Sequence, residues 1–257
     1  MIWAEPASTL AAPMLFAFAT VFFRVAAMIA VLPLLGERLI PIRLRLGAAI
    51  MLSLLLFSMN VVPVQPVPEW AGAFRLIATE SLTGLFLGVL TRILFMALQV
   101  AGSIAAQATS LAQIFPGQNV EPLPAIGHVL AFGALAYLAG QGALPLIAEF
   151  GAQLYQVLPA GHLIEPDALA TWGLAQVGQC FGLALRLSAP FILVALLYYL
   201  AMGAINRAMP QLMVALVGAP LVTFVSLGVL AITAPAIIFI WHEAYVDFLM
   251  SPLAAFP

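Results

Sequence analysis

The chain has 257 residues, eight arginines and no lysine against ten acidic residues, and 65% of it is hydrophobic, for a net charge of −2. Only 7% of the residues are charged, where soluble domains carry about 25%. So apolar a chain cannot cover itself with a polar surface, and a large soluble domain is excluded. The slight acidic balance gives no footing for nucleic-acid binding, and the single Cys180 allows neither an intrachain disulfide nor a cysteine-based metal site.

The sequence reads as an all-α integral membrane protein built as a single helical domain over 1–257. About six long segments can be drawn, each crossing needing about 20 apolar residues. Met1 to Pro6 lack a basic leader region, and the apolar run that follows continues past Arg24 to Pro33. It is expected to be a permanent first segment, 8–35, ended by Gly36-Glu37-Arg38 and Pro41. A second segment covers 42–60, after which Pro63, Pro66 and Pro68 remove helix donors and predict an extended linker. The third, 69–112, is too long for one simple crossing. Pro116, Gly117, Pro122 and Pro124 break the chain before a fourth segment at 125–157. Pro159-Ala160-Gly161 and Glu165-Pro166-Asp167 separate it from a fifth at 168–207, and a sixth covers 210–247, most of it in the longest charge-free run, 208–242.

The connectors sort by charge. With the N-terminus outside the cytoplasm, the outer connectors hold Glu5, Glu69, Glu165, Asp167, Glu243 and Asp247, and the inner ones hold Arg38, Arg43, Arg45 and Arg207 with Glu37 and Glu121. That is the positive-inside bias, with Arg75 as its one exception. Six crossings with both termini outside are the expected topology, provided that every segment crosses fully.

Enzyme signatures are missing from the sequence. His242-Glu243 opens like a zinc motif, but the position four residues after the histidine is Val246. No nucleophile elbow or phosphate-binding glycine loop is present, and no cofactor is expected. The informative polar residues are Arg24, Glu80, Arg92 and Arg186, each inside an apolar segment. An arginine at a helix centre in lipid costs ~2.5–3.5 kcal/mol on insertion scales, so these groups should face protein or water. On segment three, Ser81, Gly88, Arg92, Gln99, Ser103, Ala106 and Ser110 fall within about 40° of one direction. Such a stripe can line an aqueous path or receive a neighbouring helix. Glu80 lies about 120° from Arg92 on that wheel, so its partner is expected on another segment or another chain. Gly84/Gly88 and Gly178/Gly182 add small-residue spacings that favour close helix approach.

After segment three, Gln113, Ile114, Phe115, Pro116, Gly117, Gln118 and Asn119 mix bulky apolar residues with a turn. Irregular backbone at membrane depth is tolerated only against protein or a water-filled cavity. The run reads either as an odd surface loop or as a seal inside a pore.

Three patches then resemble the FliR/SctT family of type III secretion export-gate proteins. They are Arg24 to Pro33 with Glu37-Arg38, Pro41, Arg43, Arg45 and Gly47; Glu80, Gly84 and Gly88 leading through Gly102 to Gln107, Ser110 and the proline break; and Asn206-Arg207-Ala208-Met209-Pro210-Gln211 followed by Gly218-Ala219-Pro220. The last is similar to the family's N-R-x-x-P-Q run and G-x-P.

The resemblance implies a non-enzymatic gate subunit in the bacterial inner membrane, at the flagellar basal body. Its partners would be FliP-type and FliQ-type subunits, FlhB and FlhA, with unfolded export substrates passing through and membrane lipid around it. It also implies bent hairpins in a helical assembly rather than six full crossings, a pore plug at 113–119, and structural or assembly roles for Arg24, Glu80, Arg186, Asn206, Arg207, Pro210, Gln211, Gly218 and Pro220. Family members often carry Asp-Pro in the plug, whereas here Phe115 precedes Pro116 and Glu121 is the nearest acidic substitute. An injectisome homologue is the alternative membership. A multi-pass secondary transporter is the alternative class, although the chain shows no internal repeat and its buried charges are scattered.

Overall fold

In a computed structural model the described residues are 7–64, 66–109, 125–208 and 214–250. They form helices α1 (Ala7–Val31), α2 (Ile42–Ser58), α3 (Trp70–Ala108), α4 (Ala125–Gly140), α5 (Ala143–Val157), α6 (Pro166–Ala208) and α7 (Val214–Met250), with no strand among them. The protein is an all-α integral membrane protein. Four helices are long and apolar enough to cross a membrane, and α4 with α5 makes a fifth span if the bent pair counts as one.

The helix ends follow local chemistry. Past α1 the chain reverses through Leu34, at φ 76°, and Gly36, whose N–H donates to the Leu32 carbonyl at 2.7 Å. A Cβ on Gly36 would press on the Leu32 and Ala30 carbonyls, so only glycine closes this turn cleanly. Arg45 ties the turn to the start of α2 by donating to the Glu37 and Ile40 carbonyls. Phe18 of α1 meets Phe57 of α2 edge-on at 6.0 Å, completing a hairpin. Helix α6 starts at Pro166, whose missing N–H costs nothing at a first helical position, and Asp167 complements the dipole there.

Two sequence expectations need correction. The fourth segment is not one helix: α4 and α5 meet at an 82° bend. Gly142 there adopts φ 82°, a left-handed conformation that glycine reaches without a Cβ penalty. Six full crossings are likewise not supplied by the described helices. At 17 residues, α2 is about 26 Å long and falls short of a ~30 Å hydrocarbon core. The alternating charge argument, which needs every segment to cross, loses its footing at that helix.

The chain groups into two compact units, and α3, α4, α6 and α7 contribute to both. The first comprises the described parts of Met1–Leu94, Leu138–Gln176 and Tyr245–Pro257; Val21, Met28, Leu32, Leu56, Leu87, Phe150 and Leu154 are buried in it. The second comprises those of Phe95–Tyr137 and Val177–Ala244. Its buried residues include Leu98, Leu130, Leu187, Phe191 and an edge-to-face pair of Phe95 and Trp241 at 5.8 Å. Small residues set helix approach within each unit. A Cβ on Gly84 would overlap the Arg24 carbonyl, one on Gly88 the Met28 carbonyl, and one on Gly102 the backbone of Gly127. Where lipid removes the hydrophobic drive between helices, such backbone-to-backbone contact is what van der Waals packing works with.

Candidate functional site

The most organised polar site lies in the first unit, around Arg24 of α1 and Glu80 of α3. Gly84 sits one turn beyond Glu80, and its bare Cα lets the α1 backbone at Arg24 come against α3. The two side chains then meet as a fork: Arg24 Nε donates to Glu80 Oε2 at 2.7 Å and Nη2 to Oε1 at 3.0 Å. Both are buried, at 3% and 0% side-chain exposure, so neither can draw on water.

The remaining valences are filled from a third part of the chain. Arg24 Nη1 donates to the Leu158 carbonyl at 2.7 Å, and the Gly161 N–H donates to Glu80 Oε1 at 2.8 Å. Gly161 holds φ 82°, which aims that N–H without side-chain strain. The Tyr155 hydroxyl donates to Glu80 Oε2 at 3.5 Å, and the Arg24 guanidinium lies 4.0 Å from the centre of the Tyr155 ring. A buried ion pair holds only when geometry is good and its polar atoms find partners; here the fork is bidentate, and every nitrogen of the guanidinium and both carboxylate oxygens are hydrogen-bonded. The network locks α1, α3 and the connector after α5 together. A cavity of about 270 Å³ adjoins it, lined by Phe16, Thr20, Val62, Tyr155, Pro159 and His162 among others.

A second pair joins Arg92 Nη1 to Glu37 Oε1, both partly exposed. It ties α3 to the turn after α1. The polar stripe of α3 is thus used piecewise. Gly88 receives α1 at Met28, Arg92 takes Glu37, and the Gln99 backbone faces Gly127 of α4. Ser81 and Ser103 donate to the Ile77 and Val100 carbonyls of their own helix, each at 2.8 Å.

Glu80 therefore finds its partner on another segment of the same chain. Arg186, Asn206 and Arg207 are exposed on α6. Ser110, Gln113 to Asn119, Pro210 and Gln211 lie outside the described residues, and of Gly218 and Pro220 only the helical backbone of α7 is described. Sequence reasoning did not find Tyr155, Leu158 or Gly161 as part of the site; the one available signal was the Pro159-Ala160-Gly161 break. Among the described residues no three His, Cys, Asp or Glu side chains gather where a metal ion could bind.

A family profile described as "Bacterial export proteins, family 1" matches residues 15–247. Relatives named "Flagellar biosynthetic protein FliR" align over nearly the whole chain. That of Bacillus subtilis is 30% identical over 230 residues, covering 87% of this chain and 88% of its own. That of Aquifex aeolicus is 30% identical over 235 residues, covering 88% of each. That of Caulobacter vibrioides is 28% identical over 237 residues, covering 90% of this chain and 93% of its own. The chain belongs to this family of bacterial export proteins. The matched stretch takes in the whole buried network, from Arg24 to Gly161, and both partners of the Arg92–Glu37 pair.

Proposed function

We propose that the chain is a structural, non-enzymatic subunit of the flagellar type III protein export gate in the bacterial inner membrane, at the flagellar basal body. It helps to form and close the channel through which unfolded flagellar proteins leave the cytoplasm. FliP-type and FliQ-type subunits surround it, and FlhB and FlhA dock to the assembly. The observation that carries this reading is the near full-length alignment with relatives that bear the flagellar name.

Helix length supports it. Helices α3 and α6 have 39 and 43 residues, about 58 and 65 Å at 1.5 Å per residue. Each is about twice the ~30 Å hydrocarbon thickness, yet both stay apolar, so lipid alone cannot cover them and protein neighbours must. In this reading residues 113–119 are the plug and the 206–211 corner is a bend on which assembly depends.

Purification from native membranes tests the proposal. The tagged full-length chain should bring two small apolar partners with it in fixed ratio. A chain that is monodisperse alone and binds a small solute saturably would instead be a transporter.

A further inference from the structure

Four of the eight arginines gather at the turn between α1 and α2: Arg38, Arg43 and Arg45 from the chain there, and Arg92 reaching in from α3. The one acid among them, Glu37, is taken by Arg92. Its main-chain carbonyl accepts from the Ile40 N–H at 3.0 Å and from the Arg45 guanidinium, which folds 37–45 into a compact patch. Arg38 and Arg43 are exposed, and among the described residues no carboxylate lies within salt-bridge distance of either. Four guanidiniums against one carboxylate leave the patch at +3. All of these residues belong to the first compact unit.

Large apolar groups alternate with the cations. Leu39 and Ile42 are 76% and 78% exposed, and Leu44 and Leu46 are exposed as well. Neither water nor a soluble acidic partner has a use for such groups. Along α2 the arrangement gains a direction. Ile50 and Leu54, both exposed, lie within about 20° of the Arg43 direction and about 10 and 17 Å further along the helix. Gly47, before them, has open space in front of it, and no charge occurs from Gly47 to Ser58. The opposite face, with Ala49, Leu52, Ser53 and Leu56, is the buried one.

Unpaired cations above about 17 Å of apolar surface match one leaflet, which is half of a ~30 Å hydrocarbon core beneath its phosphates. Guanidinium forks fit phosphate oxygens, and a cationic cluster beside an apolar helix draws anionic headgroups. We infer that the α1–α2 turn binds an anionic phospholipid, with the phosphate on Arg38 and Arg43 and an acyl chain along Ile50 and Leu54. This contact needs only the membrane character of the chain and not its place in an export gate.

The full-length chain tests it, with a photo-reactive amino acid in place of Ile50, in vesicles of equimolar phosphatidylglycerol and phosphatidylcholine. Mass spectrometry of the adducts should show phosphatidylglycerol in excess by about fivefold for each arginine engaged. The excess should shrink as salt is raised. Arg38→Gln with Arg43→Gln should bring the ratio near one, whereas Arg38→Lys with Arg43→Lys should keep most of it. Arg186→Gln with Arg207→Gln, which removes the same charge elsewhere, should leave it unchanged. A ratio near one in the wild type, or equal losses in the two glutamine pairs, would overturn the inference. So would a loss caused by inorganic phosphate but not by chloride at equal ionic strength, which would make free phosphate the occupant. In native membranes the same probe should yield phospholipid adducts, and adducts to protein alone would also overturn it.

Discussion

Glu80→Gln isolates the charge in the buried network with almost no change in volume. The amide cannot balance the Arg24 guanidinium, which is only 3% exposed. Breaking a buried pair by neutralising one partner costs about 3–5 kcal/mol. The Gly161 N–H, which donates to Glu80 Oε1 at 2.8 Å, keeps an acceptor only if the amide oxygen turns toward it. The expected loss therefore lies in that range, roughly a hundred- to several-thousand-fold in the folded-to-unfolded ratio. Thermal unfolding of the detergent-purified complex, followed by tryptophan fluorescence, reads it as a lowered transition. The double variant Arg24→Met with Glu80→Leu removes the charge imbalance but leaves the Leu158 carbonyl, the Gly161 N–H and the Tyr155 hydroxyl without these partners, so it should recover only part of the loss. Wild-type unfolding of Glu80→Gln would refute the claim that the pair is desolvated and uncompensated. A double variant as unstable as Glu80→Gln would show that these three hydrogen bonds, and not charge balance, hold the junction.

Other substitutions probe the approach of the helices. Gly84→Ala should destabilise the same complex by about 1–3 kcal/mol, since the new methyl overlaps the Arg24 carbonyl and must push α1 away from α3. Gly142→Ala should cost about 1–2 kcal/mol because of its φ of 82°, while Gly140→Ala, with open space around it and no positive φ, should be close to neutral in the same melt. Deletion of residues 113–119 should leave the complex intact by size exclusion but raise the conductance of membranes that contain it; unchanged conductance removes the plug. Arg207→Ala and Pro210→Ala should each lower co-purification of the partner subunits, and normal assembly of both would remove the structural role of the 206–211 corner.

The helical architecture was readable because apolar runs and proline breaks are local signals. The extended linker after α2 and the boundary at Pro159–Gly161 follow directly from them. The α4–α5 elbow was less visible: Gly140-Gln141-Gly142 carries no charge or proline, and only the backbone reveals that Gly142 turns left-handed. The same limit applies to the buried site. A helical wheel separates Glu80 from Arg92, but no local rule selects Arg24, which lies 56 residues away in sequence. Tyr155 and the Leu158 carbonyl were harder still, since a tyrosine on an apolar helix and a main-chain oxygen leave no mark of their partners. The sequence shows the polar stripe of α3 as one face, whereas packing divides it, Gly88 meeting α1 at Met28 and the Gln99 backbone meeting Gly127 of α4.

The distance between the two halves of the buried pair also has a meaning in time. Arg24 leaves the ribosome 56 residues ahead of Glu80, which at 5–20 residues per second is about 3–11 s. Through that interval α1 carries an unpaired cation that costs ~2.5–3.5 kcal/mol in lipid, and the connector that supplies the last hydrogen bonds is made later still. The final packing of α1 is therefore a matter of waiting: its buried arginine is paired only once the third helix has been synthesised and brings its counter-charge.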